Sequence, residues 1–108
     1  MSIFEDQKPY IHLVLMKFKP GTTQDDIDNI FLNLQDLLTS GVIEGLLEFS
    51  GGPYDSPEGL NKGFTHAFSM KFQNKLYRDN YFPHPEHERV KEMIIAKLDD
   101  LITFDYKL

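Results

Sequence analysis

The stretch at residues 10–19, YIHLVLMKFK, decides the fold, because it has the composition of one β-strand with two apolar faces. Successive side chains of a strand point to opposite sides of the sheet. A strand that is apolar on both sides is covered on both sides. The two faces carry Ile11, Leu13 and Leu15 on one side and His12, Val14, Met16 and Phe18 on the other.

Pro20 and Gly21 end this strand, and a helical pattern follows it. Thr22 or Thr23 is expected to cap the helix, and two aspartates in the first turn suit the positive end of the helix dipole. Gly41 ends the pattern. Apolar residues recur at helical spacing at Ile27, Ile30, Phe31, Leu34, Leu37 and Leu38.

The rest of the chain predicts three more strands and two more helices. We expect strands at 45–50, 64–72 and 101–106, a glycine-rich loop at 51–63, and helices at 73–82 and from Pro85 to about Lys97. This order predicts an α+β, ferredoxin-like βαββααβ sandwich, with a four-stranded antiparallel sheet and helices on one face. Residues 1–8 are expected to be a mobile tail and residues 9–108 a single domain.

One face of this sheet lacks a covering layer in the predicted fold. The helices cover the side of His12 and Val14, so the side of Ile11, Leu13 and Leu15 would be exposed. An exposed apolar patch of that size marks an interface. The sequence therefore predicts a homodimer in which two sheets pack against each other to form a barrel.

The composition excludes several classes of function. The chain has 11 basic and 17 acidic residues, so its net charge of −6 argues against nucleic acid or an anionic membrane surface as a partner. It has no cysteine, which excludes thiol nucleophiles and thiolate zinc sites. The polar, acidic start of the chain does not resemble a signal peptide, and no apolar run is long enough to span a membrane. We expect a cytoplasmic protein.

Imidazoles and one phenol are predicted to meet between the sheet and the helices. His12 and His66 lie on the inner faces of the two strands expected at the centre of the sheet. His87 begins a helical stripe that continues with Val90, Ile94 and Leu98, so it should also point inward, with Tyr81 just before it. A neutral His87 could act as a base, with Tyr81 as its partner, next to a carbonyl group.

A purely structural role remains the alternative for each of these residues. His12 and His66 could be satisfied core histidines, and Tyr81 could simply close one end of the core. His84 precedes Pro85, a favoured first residue of a helix, so it is expected to be structural. No metal site and no cofactor is predicted, since His84 and His87 lack an obvious third ligand. The aromatic residues Phe31, Phe68, Phe72 and Phe104 are assigned to the core.

Four stretches, taken together and in order, resemble the stress-responsive α/β-barrel (Dabb) family. They are HLVLMKFKPGTT at 12–23, SPEGLNKGFTHAF at 56–68, YFPHPEHERV at 81–90 and TFDY at 103–106. The resemblance covers residues 10–107 and implies a ferredoxin-like dimer with a central barrel and a small-molecule pocket between sheet and helices. Most family members have no assigned reaction.

The resemblance also implies roles for individual residues. A plant polyketide cyclase of this family works without a cofactor, and its tyrosine and histidine acid–base pair match Tyr81 and His87. Its pocket histidines match His12 and His66. The first helix here departs from that pattern, because its inner face offers only apolar side chains, Phe31 and Leu34, and the glycine-rich loop also differs. The expected substrate contacts are His12, His66, Phe31, Leu34 and Phe68.

Three functions remain open from the sequence. The first is a dimeric binding or stress-related protein without catalysis. The second is a cofactor-free acid–base enzyme, a cyclase or lyase, acting on a small apolar or aromatic carbonyl compound. The third is a cofactor-free monooxygenase of related fold that binds an aromatic substrate or haem.

Overall fold

The computed structural model describes residues 7–108, so most of the tail expected at 1–8 lies outside the described residues. The chain follows the predicted βαββααβ order. Its elements are β1 (Tyr10–Phe18), α1 (Gln24–Thr39), β2 (Leu46–Pro53), β3 (His66–Phe72), α2 (Lys75–Tyr81), α3 (Pro85–Ile95) and β4 (Leu98–Lys107). Across residues 7–108, no helix is long and apolar enough to cross a membrane.

The four strands form one antiparallel sheet in the order β2-β3-β1-β4. The strands β1 and β3 are central, as predicted, and their register pairs His12 with Met70 and Val14 with Phe68. On the other side of β1, His12 pairs with Asp105. The fold is therefore the predicted ferredoxin-like α+β sandwich.

The core lies between the inner face of this sheet and the helices. The sequence places large apolar side chains at every second position of the central strands, and the structure buries them against the apolar stripes of α1 and α3. The stripe predicted from His87 through Val90 and Ile94 does face the sheet. The buried residues include Val14, Met16, Phe68, Met70 and Phe72 from the sheet, Ile30, Leu34 and Leu37 from α1, and Val90 and Ile94 from α3.

The outer face of the sheet is apolar and lacks a covering layer in the single chain. Ile11, Leu13 and Leu15 of β1 lie beside Tyr106, Phe104 and Ile102 of the edge strand β4. The assignment of Phe104 to the core is wrong for this chain, since its side chain is 60% exposed. Alternation explains the error, because pairing with Leu13 directs Phe104 to the outer face.

One local difference from the predicted elements, at the end of β2, has simple causes. The strand β2 continues through Gly51 and Gly52 to Pro53, although these residues were assigned to the loop. A Cβ on Gly51 would lie 2.7 Å from both the Ala67 carbonyl oxygen and the Phe31 ring, so only glycine allows this close packing. Pro53 is tolerated because β2 is an edge strand.

The helix starts fix the direction of the helices over the sheet. Thr23 caps α1 in a capping box with Asp26. Asn74 caps α2, and its side-chain oxygen accepts a hydrogen bond from the Tyr77 amide at 3.2 Å. His84 caps α3, with Pro85 as the first helical residue.

Candidate functional site

A cavity of about 540 Å³ lies between the inner face of the sheet and α3. That volume falls in the range of small-molecule sites. Its apolar walls come largely from the central strands and from the buried sides of α1 and α3. The apolar lining includes Val14, Leu34, Phe68, Val90, Ile94 and Leu98, and the polar lining His12, Tyr81, His87, Glu88, Lys91, Thr103 and Asp105.

His87 is held as a neutral imidazole of one defined tautomer. Its Nδ1 lies 2.7 Å from the carbonyl oxygen of Phe82. A carbonyl oxygen can only accept, so Nδ1 carries the hydrogen and Nε2 of the neutral ring carries a lone pair. Nε2 has no hydrogen-bond partner in residues 7–108, and no fully buried side-chain nitrogen or oxygen there is unpartnered. Nε2 is therefore accessible, on a ring that lines the cavity.

The surroundings of His87 favour the neutral form. Burial lowers the pKa of His87 below its ordinary value, and the electrostatic interactions with Lys91 and His12 act in the same direction. The hydrogen bond to Phe82 and the carboxylate of Glu88 oppose this shift without reversing it. A neutral imidazole with a free nitrogen is a proton acceptor.

Tyr81 lies directly against His87. The two ring centroids are 4.4 Å apart, and Tyr81 is only 3% exposed. Burial raises the pKa of the Tyr81 phenol, so its hydroxyl keeps its proton. The Tyr81 hydroxyl has no hydrogen-bond partner in the described part of the chain. No fully buried side-chain oxygen there lacks a partner, so this hydroxyl is at least partly accessible. Tyr81 thus carries a free donor on a ring that packs against the ring of His87, which carries the free acceptor.

A second imidazole is fixed by residues that the sequence did not single out. The Nδ1 of His12 donates to a carboxylate oxygen of Asp105 at 2.7 Å, and Arg78 donates to the other oxygen at 2.8 Å. The alternation of TFDY together with the βαββααβ topology could have placed Asp105 beside His12, since the two residues pair directly between β1 and β4. No comparable pattern in the sequence indicated that Arg78 would contact Asp105.

The structure brings together five of the seven predicted site residues. His12, Leu34, Phe68, Tyr81 and His87 line the same cavity. His66 and Phe31 are not among its lining residues. His66 pairs with Met16, four positions along β1 from His12. At about 3.3 Å per residue this places the two histidines roughly 13 Å apart on one face.

His66 and Phe31 instead contact each other at the far end of the inner face. The ring of His66 lies 5.3 Å from that of Phe18 and 6.1 Å from that of Phe31. Phe31 also packs on Phe49 of β2 at 6.5 Å. Their predicted contact with a substrate stays a prediction, and in the structure they are packing residues.

The first histidine of the His-Pro-Glu-His turn, His84, has the structural role expected of it. The Nδ1 of His84 accepts a hydrogen bond from the Glu86 amide at 3.1 Å, at the start of α3. This contact satisfies one of the free amides of the first helical turn. Within residues 7–108, no group of three or more histidine, cysteine, aspartate and glutamate side chains is placed to hold a metal ion.

Comparison with known proteins places this chain in one family. The sequence model described as "Stress responsive A/B Barrel Domain" matches residues 11–108, which is almost the whole chain. The chain belongs to the stress-responsive A/B barrel family. The family resemblance drawn from the four sequence motifs is therefore confirmed.

Relatives of this A/B barrel protein cover nearly its full length. It is 30% identical to the stress-response A/B barrel domain-containing protein HS1 of Arabidopsis thaliana, over 95% of this chain and 93% of that one. It is 23% identical to olivetolic acid cyclase of Cannabis sativa, over 88% and 92% of the two chains.

A solved structure agrees with the fold. A dimeric ferredoxin-like protein of unknown function from Jannaschia species CCS1 is similar to it with a TM-score of 0.82 and 26% identity, over 93% of this chain and 99% of that one.

Proposed function

We propose that this A/B barrel protein is a homodimer in which each chain binds a small apolar or aromatic carbonyl compound in the 540 Å³ cavity. We further propose that His87 and Tyr81 catalyse proton transfer next to the carbonyl group, without a cofactor. The observation that carries this proposal is the hydrogen bond from His87 Nδ1 to the Phe82 carbonyl, which leaves Nε2 free on a ring that packs against the ring of Tyr81.

The proposed proton transfer follows from the opposite pKa shifts of His87 and Tyr81. His87 stays neutral because burial lowers its pKa, so Nε2 can take a proton from the carbon next to a carbonyl. Tyr81 stays protonated because burial raises its pKa, so its hydroxyl can donate to the carbonyl oxygen as negative charge develops there. The enolate carbon can then regain the proton from His87. Alternatively, it can form a bond to a second carbonyl carbon; the π bond of that carbonyl breaks, and its oxygen takes the proton from His87.

The walls of the cavity favour an apolar or aromatic body for the ligand. The apolar lining comes from Val14 and Phe68 of the sheet, Leu34 of α1, and Val90 and Ile94 of α3. A mostly apolar site with a few convergent polar groups is typical of small-molecule pockets. The name of one relative, olivetolic acid cyclase, supports ring-forming chemistry as one form of this reaction.

The homodimer is supported by the apolar outer face of the sheet and by the dimeric relative from Jannaschia. We expect Phe104→Glu to convert the dimer to monomers in sedimentation velocity, because it places a charge on this face, beside Leu13. The matched control is Leu60→Glu, which changes an equally exposed leucine away from the sheet and should leave the dimer intact. A wild-type protein that sediments as a monomer at micromolar concentration would contradict the proposal.

Ligand binding is tested with acetophenone, a small aromatic ketone, by following backbone amide signals in a nuclear magnetic resonance (NMR) titration. Shifts are expected at residues lining the cavity and in α3. Thr103→Phe should abolish them, because Thr103 is exposed on the inner face of the edge strand and a phenyl ring there fills the cavity. Thr39→Phe, at the exposed end of α1, is the control. Shifts that persist in Thr103→Phe would show that the ligand binds elsewhere.

A further inference from the structure

We infer that Arg78 is a positioning residue, which fixes the carboxylate of Asp105 and thereby holds His12 as a second proton acceptor facing the cavity. This inference deepens the proposed function and rests on it for its catalytic meaning. Its structural content, the orientation and tautomer of His12, can be measured without any ligand.

Both oxygens of Asp105 are engaged, each by a different partner. Oδ1 accepts from His12 Nδ1 at 2.7 Å, and Oδ2 accepts from Arg78 Nη1 at 2.8 Å. An ionised carboxylate only accepts, so Nδ1 of His12 carries the hydrogen and Nε2 of the neutral ring carries a lone pair. Nε2 has no partner in residues 7–108 and is not a fully buried unpartnered atom there, so it is accessible.

Arg78 is itself held rigidly. Its side chain is only 14% exposed, and its Nε donates to Asp79 at 2.9 Å. The guanidinium lies 4.9 Å from the ring centroid of Tyr10 and 5.9 Å from that of Phe82. A planar guanidinium can make two directed hydrogen bonds and stack on aromatic rings at once, which a lysine cannot do. Arg78 therefore ties α2 to the edge strand β4 at the carboxylate that orients His12.

His12, which Asp105 and Arg78 hold in place, faces the same cavity as His87. His12 lines the cavity together with His87, and its ring contacts those of Tyr81 and Phe82 at 6.4 and 5.4 Å. The titratable and charged groups that face it are Asp105 from β4, Tyr81 and Arg78 from α2, and His87 from α3. The cavity thus holds two free imidazole nitrogens on opposite elements, so a proton can be taken at two positions of one ligand.

The test is the ring-nitrogen NMR spectrum of protein labelled with ¹⁵N-histidine, recorded without ligand at a pH where the imidazoles are neutral. The wild type should show His12 with a protonated Nδ1 and a bare Nε2. In Arg78→Gln, Asp105 loses the partner of its second oxygen and can rotate. The two ring-nitrogen signals of His12 should then move toward each other, because the two tautomers mix.

Further variants test whether the change in the His12 signals is specific to the contact between Arg78 and Asp105. Arg89→Gln removes an arginine with the same charge, which pairs with Glu86 and Asn33 on the surface, and should leave the signals of His12 unchanged. If Arg78→Gln does not fold, Arg78→Lys keeps the charge and most of the stem and should still mix the tautomers partly. Asp105→Asn should change the His12 signals at least as much as Arg78→Gln.

Unchanged His12 signals in a folded Arg78→Gln or Arg78→Lys protein would overturn the inference. That result leaves the proposed function standing, because the tautomer of His87 depends on the Phe82 carbonyl rather than on Arg78. Conversely, a failure to bind acetophenone with the expected His12 signals present would overturn the proposed function and leave the role of Arg78 intact.

Discussion

Replacing Tyr81 with phenylalanine separates stability from ligand binding. The change removes one hydroxyl that has no hydrogen-bond partner in residues 7–108 and keeps the ring that packs on Phe72 at 5.2 Å and on His87 at 4.4 Å. Removal of an unpartnered hydroxyl breaks no hydrogen bond and leaves no buried acceptor unsatisfied. The free energy of unfolding should therefore change by less than about 0.5 kcal/mol.

The affinity for a carbonyl ligand should fall in the same variant. The hydroxyl is proposed to donate to the ligand's carbonyl oxygen, and such a hydrogen bond contributes about 0.5–1.5 kcal/mol net. Since about 1.4 kcal/mol corresponds to a tenfold change, the Kd for acetophenone should rise by a factor of roughly 2 to 12. A loss of affinity without a loss of stability is expected if the hydroxyl donates to the ligand and to no group of the protein.

Two measurements check this prediction, urea unfolding and an NMR titration with acetophenone. Tyr77→Phe is the matched control, because Tyr77 lies one helical turn earlier in α2 and does not line the large cavity. It should change neither the stability nor the Kd by a measurable amount. A Tyr81→Phe protein that loses more than about 1 kcal/mol of stability would show that the hydroxyl has a protein partner. An unchanged Kd would show that the ligand does not contact it.

Three further predictions concern packing, pH and helix capping. Gly51→Ala should lower the free energy of unfolding by about 1–3 kcal/mol, because its Cβ would lie 2.7 Å from a carbonyl oxygen and a ring. The control is Gly52→Ala, whose Cβ has open space around it; it should change the free energy of unfolding by less than about 0.5 kcal/mol. Because the pKa of His87 is lowered from its ordinary 6.5 on folding, the unfolded chain takes up a proton first as the pH falls through 6.5. Stability is thus lost below that pH, and His87→Gln should make the fall in urea midpoint between about pH 8 and pH 5 shallower. Finally, His84→Ala should lower the free energy of unfolding by about 1 kcal/mol, measured by urea unfolding, because the side chain of His84 caps α3. The variant should still bind acetophenone at saturating concentration.

The fold was predictable because its main signals are local. The two apolar faces of β1 required a layer on each side, and the helical period of α1 supplied one of them. The start of α3 was predictable from Pro85, and the stripe that follows His87 gave the direction of its ring. These features depend on alternation and on helix-end chemistry, which act over a few residues.

The errors arose where long-range register decides the outcome. The sequence placed His12 and His66 on one face, but only the pairing of β1 with β3 shows that they lie at opposite ends of it. Phe104 was assigned to the core because it matches an apolar periodicity in its strand, and the pairing with Leu13 turns it outward. Arg78 was missed because one arginine in a short helix gives no sign of the carboxylate it meets, 27 residues later in the chain.

The central claim, that His87 is the base of a carbonyl-binding cavity, is tested most directly by proton exchange. Acetophenone in deuterated buffer exchanges its methyl protons through the enolate, and the loss of the methyl signal in proton NMR gives the rate. The wild-type protein should accelerate this exchange over buffer, and His87→Ala should lose roughly a hundredfold or more of the acceleration, as expected for loss of a general base. Tyr77→Phe should retain the wild-type rate. A His87→Ala protein that is folded and exchanges acetophenone as fast as the wild type would contradict the claim.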